Sequence, residues 1–575
     1  MPHALSAWNL ANIQPKNINA ALQEIEEKTV EIEKEKSLLT AQISPVKFLA
    51  FVKKLEELRT FSAKLSCYVE LRCAENSSDQ QAAADRSKVE TALTKTGNRL
   101  LFFGFWFKDL PEQKAQELIN ASGAYKYHFQ QLRKLKPYTL QENEEKIINI
   151  KDTTGVSALN SVYNTLTTQF TYLFQGKELT QEELLKFARS PKPQERKAMY
   201  QLLLSTYKKQ KDVIGEIYKT IINDWREENV NLRKYKSPIN VRNISHDLPD
   251  EAVEALLRVC EKNQSIFHTF FELKRKKLGL KKLTRFDLYA PLSSAKEKRL
   301  SYDEGMKLVL EAYGQFSPQF QKEAIAIIDA KHIHSQVQKN KQTGAFCCSV
   351  TAKLPPFCLW SYTGTMRDVS TVAHELGHGV HHQLARNNTE FTCHACLPLA
   401  ETASIFGEML LTENLLKKYP AEAQELLFFK LDDIYASIIR QAGFVRFEEK
   451  AHKMMEEGKT IEEMSAAYLA DLRKQLGPKV EVDDLFAYEW AYIPHIFHTP
   501  FYCYAYAFGN LLTLALYEKY RKEGQKMVPK ILEMLAAGGS KSPVEITKAV
   551  GVDITSEAFW QQGFEVIKEM VRKAE

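Results

Sequence analysis

The sequence predicts a mainly α fold with a small amount of β structure. Apolar residues recur at helical spacing over most of the chain, and strict alternation is confined to a few short stretches. Between the periodic segments, proline, glycine and capping residues stand where helices start and stop.

The elements follow in order. Ile18, Leu22, Ile25 and Ile32 form one stripe of a helix running to about Leu39. Ser44-Pro45 supplies an N-cap and a first-turn proline for a helix through Leu71. Helical patterns then cover about 79–105, 111–135 and 143–167, and Phe170–Phe174 before Gln175-Gly176-Lys177 predicts one hairpin. Ser190-Pro-Lys-Pro193 breaks the pattern and divides a 1–190 segment from a 191–575 segment. Long helices resume over about 195–234 and 250–278, where Lys274–Lys277 reads as a solvated helix face. Phe286–Leu292 reads as extended, and 332–337 with 345–352 as paired strands. The remainder is helical apart from a glycine break at Gly538-Gly539-Ser540.

With 575 residues there is material for two or more domains. A balance of 78 basic against 72 acidic residues is too even to imply a nucleic-acid partner. No run of 18 apolar residues points to a membrane span. The first ten residues lack the features of a signal peptide, and nine scattered cysteines suit a reducing compartment. The expected location is the cytoplasm.

The chemistry centres on His374-Glu-Leu-Gly-His378. On a helix, residues at i and i+4 leave one face a turn apart, so the two imidazoles can take adjacent corners of a zinc tetrahedron. Glu375 projects about 100° further round, within reach of a metal-bound water. Chance alone would place the motif in such a chain about one time in forty, so further support is needed. Gly377 and Gly379 provide some, because each costs about 1 kcal/mol inside a helix and signals a close approach to the backbone.

A third ligand provides more. Leu384 stands where the last histidine of a metzincin motif would be, so that pattern fails. Leu397-Pro398 opens a following helix that presents Glu401, with Ser404 and Glu408 on the same face. His381, Ser404 and Glu408 are expected behind the ligands, orienting them by hydrogen bonds, whereas His382 reads as surface. Cys393-His-Ala-Cys396 reads as ordinary thiols, since no second ligand pair accompanies it. Between Tyr492 and Gly509, His495, His498, Tyr502 and Tyr506 supply more donors than core packing calls for, as an oxyanion site would.

Together these residues resemble the M3 family of zinc oligopeptidases, on the oligoendopeptidase F side. The resemblance rests on His374–His378 with His381, on Glu401-Thr-Ala-Ser404-Ile-Phe-Gly-Glu408, and on Phe286–Leu292. It rests also on Tyr362–Asp368, Ile493-Pro-His495 with Tyr502, and Gly538–Ser540 with Gly551–Asp553. It implies two helical lobes enclosing a deep channel, with a small β-sheet beside the zinc helix, in the gluzincin manner. It implies a helical N-terminal domain over 1–190, a catalytic domain over 191–575 and one zinc per chain. It also implies that the strand of Gly344, Ala345 and Phe346 pairs with the substrate backbone. The roles within the histidine and tyrosine patch stay open.

The expected activity is zinc-dependent cleavage of internal bonds in short unstructured peptides, by a monomer or weak homo-oligomer. The rivals are a zinc carboxypeptidase or dipeptidase on a similar scaffold, and a non-catalytic peptide-binding protein. The first would need a cation for a terminal carboxylate, and the sequence singles out no arginine for it.

Overall fold

The computed structural model describes residues 2–292 and 298–575. The described chain is mainly helical, with its strands gathered in three small sheets. Ser44 caps the helix Pro45–Glu75 by accepting from Lys47 N, as its sequence predicts. The hairpin pairs Tyr172–Phe174 with Lys177–Leu179, and its turn is made by Gln175 and Gly176, both at positive φ.

Three expectations are corrected. The segments near 333 and 346 do not pair with each other. Ile333–His334 and Phe346–Cys348 flank a third strand, Phe357–Leu359, parallel to the first and antiparallel to the second. That central strand is buried at all three positions, so it shows no alternation for a sequence pattern to catch. Phe286 lies in the 3₁₀ turn Arg285–Asp287, not in an extended stretch; Thr284 caps the turn, and Asp287 pairs with buried Arg196 at 2.6 Å. Lys274 is 0 % exposed: its ammonium donates to both oxygens of Asp432 and to Leu288 O. A lysine in a basic run can leave solvent when a carboxylate meets it inside.

The chain forms two compact units. The first comprises Met1–Lys136, Glu297–Lys418 and Lys519–Val552; the second comprises Pro137–Lys296, Tyr419–Glu518 and Asp553–Glu575. Each unit gathers three separated stretches, so compactness and chain order divide the protein along different lines.

In the first unit, Phe48, Phe51, Phe103, Phe107 and Phe129 join the N-terminal helices in one aromatic core. A second cluster seats Trp8 against the three-stranded sheet, with its ring 5.2 Å from that of His334 and 6.3 Å from Phe357. Ser335 N donates to Ser6 O, so the N-terminal segment covers the Ile333–His334 edge of the sheet. Phe346–Cys348 forms the opposite edge.

The second unit is built round large buried rings, among them Trp490, Trp560, Tyr218 and Tyr435. It also buries charge. Glu489 accepts from Arg285 at 2.6 Å, Arg440 at 3.1 Å and Tyr468 at 2.7 Å.

Candidate metal centre and active site

The motif lies on the helix Met366–Ala385. Thr365 and Asp368 form a reciprocal cap, and the Asp368 carboxylate accepts from the backbone of both Thr363 and Thr365. An acidic residue in the first turn also complements the helix dipole. From that fixed start, His374 and His378 emerge a turn apart with their Nε2 atoms 3.2 Å from each other. Glu401, at the joint between Leu397–Ala400 and Thr402–Lys418, brings Oε2 to 3.4 Å from His374 Nε2 and 3.5 Å from His378 Nε2. Bonds of about 2.0–2.1 Å in a tetrahedron give edges of about 3.3 Å, so the three donors fit a zinc ion in both type and spacing.

Two of the three donors are braced from behind. His374 Nδ1 donates to Glu408 Oε1 at 2.6 Å, which puts the ring proton on Nδ1 and leaves the Nε2 lone pair facing the other two donors. Ser404 Oγ donates to Glu401 Oε2 at 3.0 Å. The approach of the two helices depends on Gly377. A Cβ there would fall 2.5 Å from Ser404 Cα and 2.7 Å from Ala403 O, which are backbone positions with nowhere to go. At Gly379 it would fall 2.3 Å from Ile327 Cδ1. Both glycines therefore mark close approaches, as their cost inside a helix implies. Gly377→Ala should destabilise the fold by about 1–3 kcal/mol through overpacking. Thermal unfolding at wild-type temperature would show instead that the helices separate freely.

The trio opens on a cavity of about 390 Å³, also lined by Glu375, His381, Ala345 and Phe346. Gly344 precedes that strand at φ +88°, the left-handed region that suits glycine. Burial pushes the Glu375 carboxyl up to about 7, with Glu401 and Glu408 adding to the rise against the pull of His374. At His374 burial opposes the charge, yet the hydrogen bond and charge of Glu408, with Glu401 and Glu375, raise it to about 9. A dication among these groups would reverse that balance. His381 is buried and held down to about 4.

The C-terminal patch lies in the second unit. His495 and Tyr502 stack with ring centroids 6.2 Å apart, and Tyr506 Oη lies 3.4 Å from His495 Nε2. Tyr502 and Tyr506 meet edge to face at 5.2 Å. Between the helices Pro494–His498 and Tyr504–Glu523 the chain turns at Phe501, φ +59°, whose N–H donates to buried Glu448 at 2.7 Å. His498 stands apart, with its Nε2 2.9 Å from Asn164 Oδ1. The structure thus gathers three of the four expected residues.

His382 is not on the surface. It is buried, and its Nε2 faces Thr351 O and Leu354 O. Neither Cys393 nor Cys396 is in a disulfide. The residue that sequence reasoning passed over is His394, which also lines the cavity. Its one signal was its place inside the C-x-x-C, where the flanking sulfurs draw attention first.

Known proteins resemble this chain in sequence and in fold. The profile of Peptidase family M3 matches residues 186–566, and one described as Oligopeptidase F matches 106–172. Oligopeptidase PepF of Bacillus subtilis is 24% identical over 509 residues, covering 86% of this chain and 75% of its own. An oligoendopeptidase F homolog of Borreliella burgdorferi is 25% identical over 568 residues, covering 96% and 94%. The crystal structure of a candidate peptidase from Chlamydophila abortus superposes with TM-score 0.86 at 23% identity, covering 99% of this chain and 97% of that one. At that identity the match speaks for the fold, which is mainly helical with small sheets. With the M3 profile spanning well over half of the sequence, the chain belongs to peptidase family M3, on its oligoendopeptidase F side, and is a zinc-dependent endopeptidase of oligopeptides.

Proposed function

We propose that the chain cleaves internal bonds of short unstructured peptides with one zinc held by His374, His378 and Glu401 and with Glu375 as general base. The observation that carries this is the tetrahedral spacing of two imidazole nitrogens and a carboxylate oxygen beside a buried carboxyl group. Bound zinc supplies Lewis acidity, polarising the scissile carbonyl and easing the ionisation of water. Glu375 accepts the proton of the attacking water and delivers it to the departing amine. His381, Ser404 and Glu408 hold the ligands in place; Glu408 does so by fixing the tautomer of His374. The edge strand Phe346–Cys348 is shorter than the sequence implied and leaves Gly344 and Ala345 in the lead-in to it; Gly344, Ala345 and Phe346 together take the peptide backbone by strand addition.

Tyr502, His495 and Tyr506 are the donors proposed for the tetrahedral oxyanion, and His498, engaged by Asn164, is left out of that role. Tyr502→Phe should lower kcat by roughly 10²-fold and change KM less, with zinc content unaltered. A change confined to KM would instead assign Tyr502 to ground-state binding and pass the donor role to Tyr506 or His495.

The finer architecture belongs to the same proposal: two helical lobes round a channel in the gluzincin manner, and sequence domains over 1–190 and 191–575. So do a cytoplasmic location, a monomer or weak homo-oligomer, and the absence of nucleic-acid and membrane partners. Among the described residues no helix is long and apolar enough to cross a membrane. A channel admits an extended chain and excludes a folded one. Peptides of roughly 5 to 20 residues should therefore be cleaved briskly, and folded or long unfolded proteins hardly at all. Equal turnover across a graded length series would require an open cleft. Chelator-sensitive cleavage of a peptide blocked at both ends separates this proposal from a carboxypeptidase and from a silent peptide binder.

A further inference from the structure

The cavity beside the proposed metal ligands has a second polar wall that the mechanism above does not use. His394 lines it, and water reaches its ring. The ring stacks on His382 with centroids 5.7 Å apart, and His382 is itself fixed by Thr351 O at 3.0 Å and Leu354 O at 3.2 Å. Among the described residues no hydrogen bond engages either nitrogen of His394.

The backbone beneath it, by contrast, is pinned. Gly539 N donates to Thr392 O at 2.9 Å, and Asn388 Nδ2 donates to Ala536 O at 2.9 Å. A Cβ on Gly539 would fall 2.2 Å from His394 O, and one on Gly538 would fall 2.6 Å from Cys393 O. Only glycine lets the two loops lie this close. The Gly-Gly-Ser break therefore has a task, which is to dock the loop that carries His394. A fixed backbone under an imidazole that the protein leaves unengaged is the arrangement expected of a ligand contact.

Partial burial and the charge of Arg59 hold this imidazole below its ordinary pKa, which favours the neutral ring with one donor and one acceptor. Phe346, Cys393 and Ala395 supply apolar wall in the same cavity. An apolar stem with a hydrogen-bonding tip matches that surface.

We infer that His394 is a specificity-determining residue that hydrogen-bonds the side chain of one substrate residue near the scissile bond, favouring an amide or hydroxyl tip over an apolar side chain of similar size. This rests on the peptidase function proposed above. The test uses the zinc-loaded full chain and peptide pairs differing only as Gln against Met or Tyr against Phe, placed in turn on each side of the cleaved bond. Wild type should prefer the polar member by about three- to tenfold in kcat/KM at one position, the value of a single neutral hydrogen bond. His394→Phe keeps a ring on His382 and removes both hydrogen-bonding atoms, so the ratio at that position should fall to about one. His394→Gln, which restores a donor and an acceptor, should recover part of it. A merely structural role would lower both members together and leave the ratio alone. A wild type without the preference, or a ratio that survives His394→Phe, overturns the inference while leaving the peptidase function standing. Failure of the wild type to cleave any peptide overturns both.

Discussion

Glu375→Gln should fold, bind zinc as the wild type does, and lose about 10² to 10⁴ in kcat. The amide is nearly isosteric with the carboxylate, so the packing of the buried side chain is kept. What is lost is the lone pair that takes the water's proton. The proposed metal ligands are untouched, because Glu375 is not one of the trio. Two controls make the result specific: zinc content by metal analysis, and KM, which should move little if the residue acts on proton transfer and not on binding. A loss smaller than about tenfold would remove Glu375 from the role of base. His381 would not replace it readily, being buried and, on the proposal above, engaged in orienting a ligand.

Much of this site was legible in the sequence because its key relations are local. His374 and His378 are four residues apart on one helix, and Glu401 with Ser404 and Glu408 repeats that logic on the next. Helical geometry alone turns such spacings into shared faces. The glycines were legible for a related reason: their cost within a helix is a local quantity, and the close contacts at Ser404 and Ile327 are the reason a side chain is absent there. A capping residue told in the same way, as at Ser44.

What stayed hidden depends on contacts far apart in sequence. Lys274 reads as solvated until Asp432, 158 residues away, meets it inside. The Phe357–Leu359 strand is too short and too uniformly buried to show a period, so its two neighbours looked like each other's partners. His382 and His394 fall on opposite sides of the same lesson. One found carbonyl partners and went into the core; the other is left open to the cavity, and no spacing rule separates them. The compact units were hidden too, since each closes only when three distant stretches return to it.

Glu401→Ala should abolish stable zinc binding and, with it, peptide cleavage. Two imidazoles remain, and a catalytic zinc site ordinarily needs three protein donors. Loss of a group that merely braces a ligand typically costs 10–100-fold in metal affinity, so loss of a ligand itself should exceed about 100-fold. The fold should survive. The Glu401 side chain is 29 % exposed, so truncating it opens no cavity in the core, and the hydrogen bond it forfeits is that from Ser404. Dialysis against a competing chelator followed by metal analysis reads the affinity directly, and circular dichroism checks the helices. Glu408 is the other carboxylate on this face, but it is already committed to His374 Nδ1 at 2.6 Å. Moving it into the trio would release that imidazole from its tautomer, so it is poorly placed to compensate. If Glu401→Ala nonetheless kept its full zinc content, Glu408 would be the first residue to substitute next, and the three-donor set proposed for this chain would have to be redrawn around it.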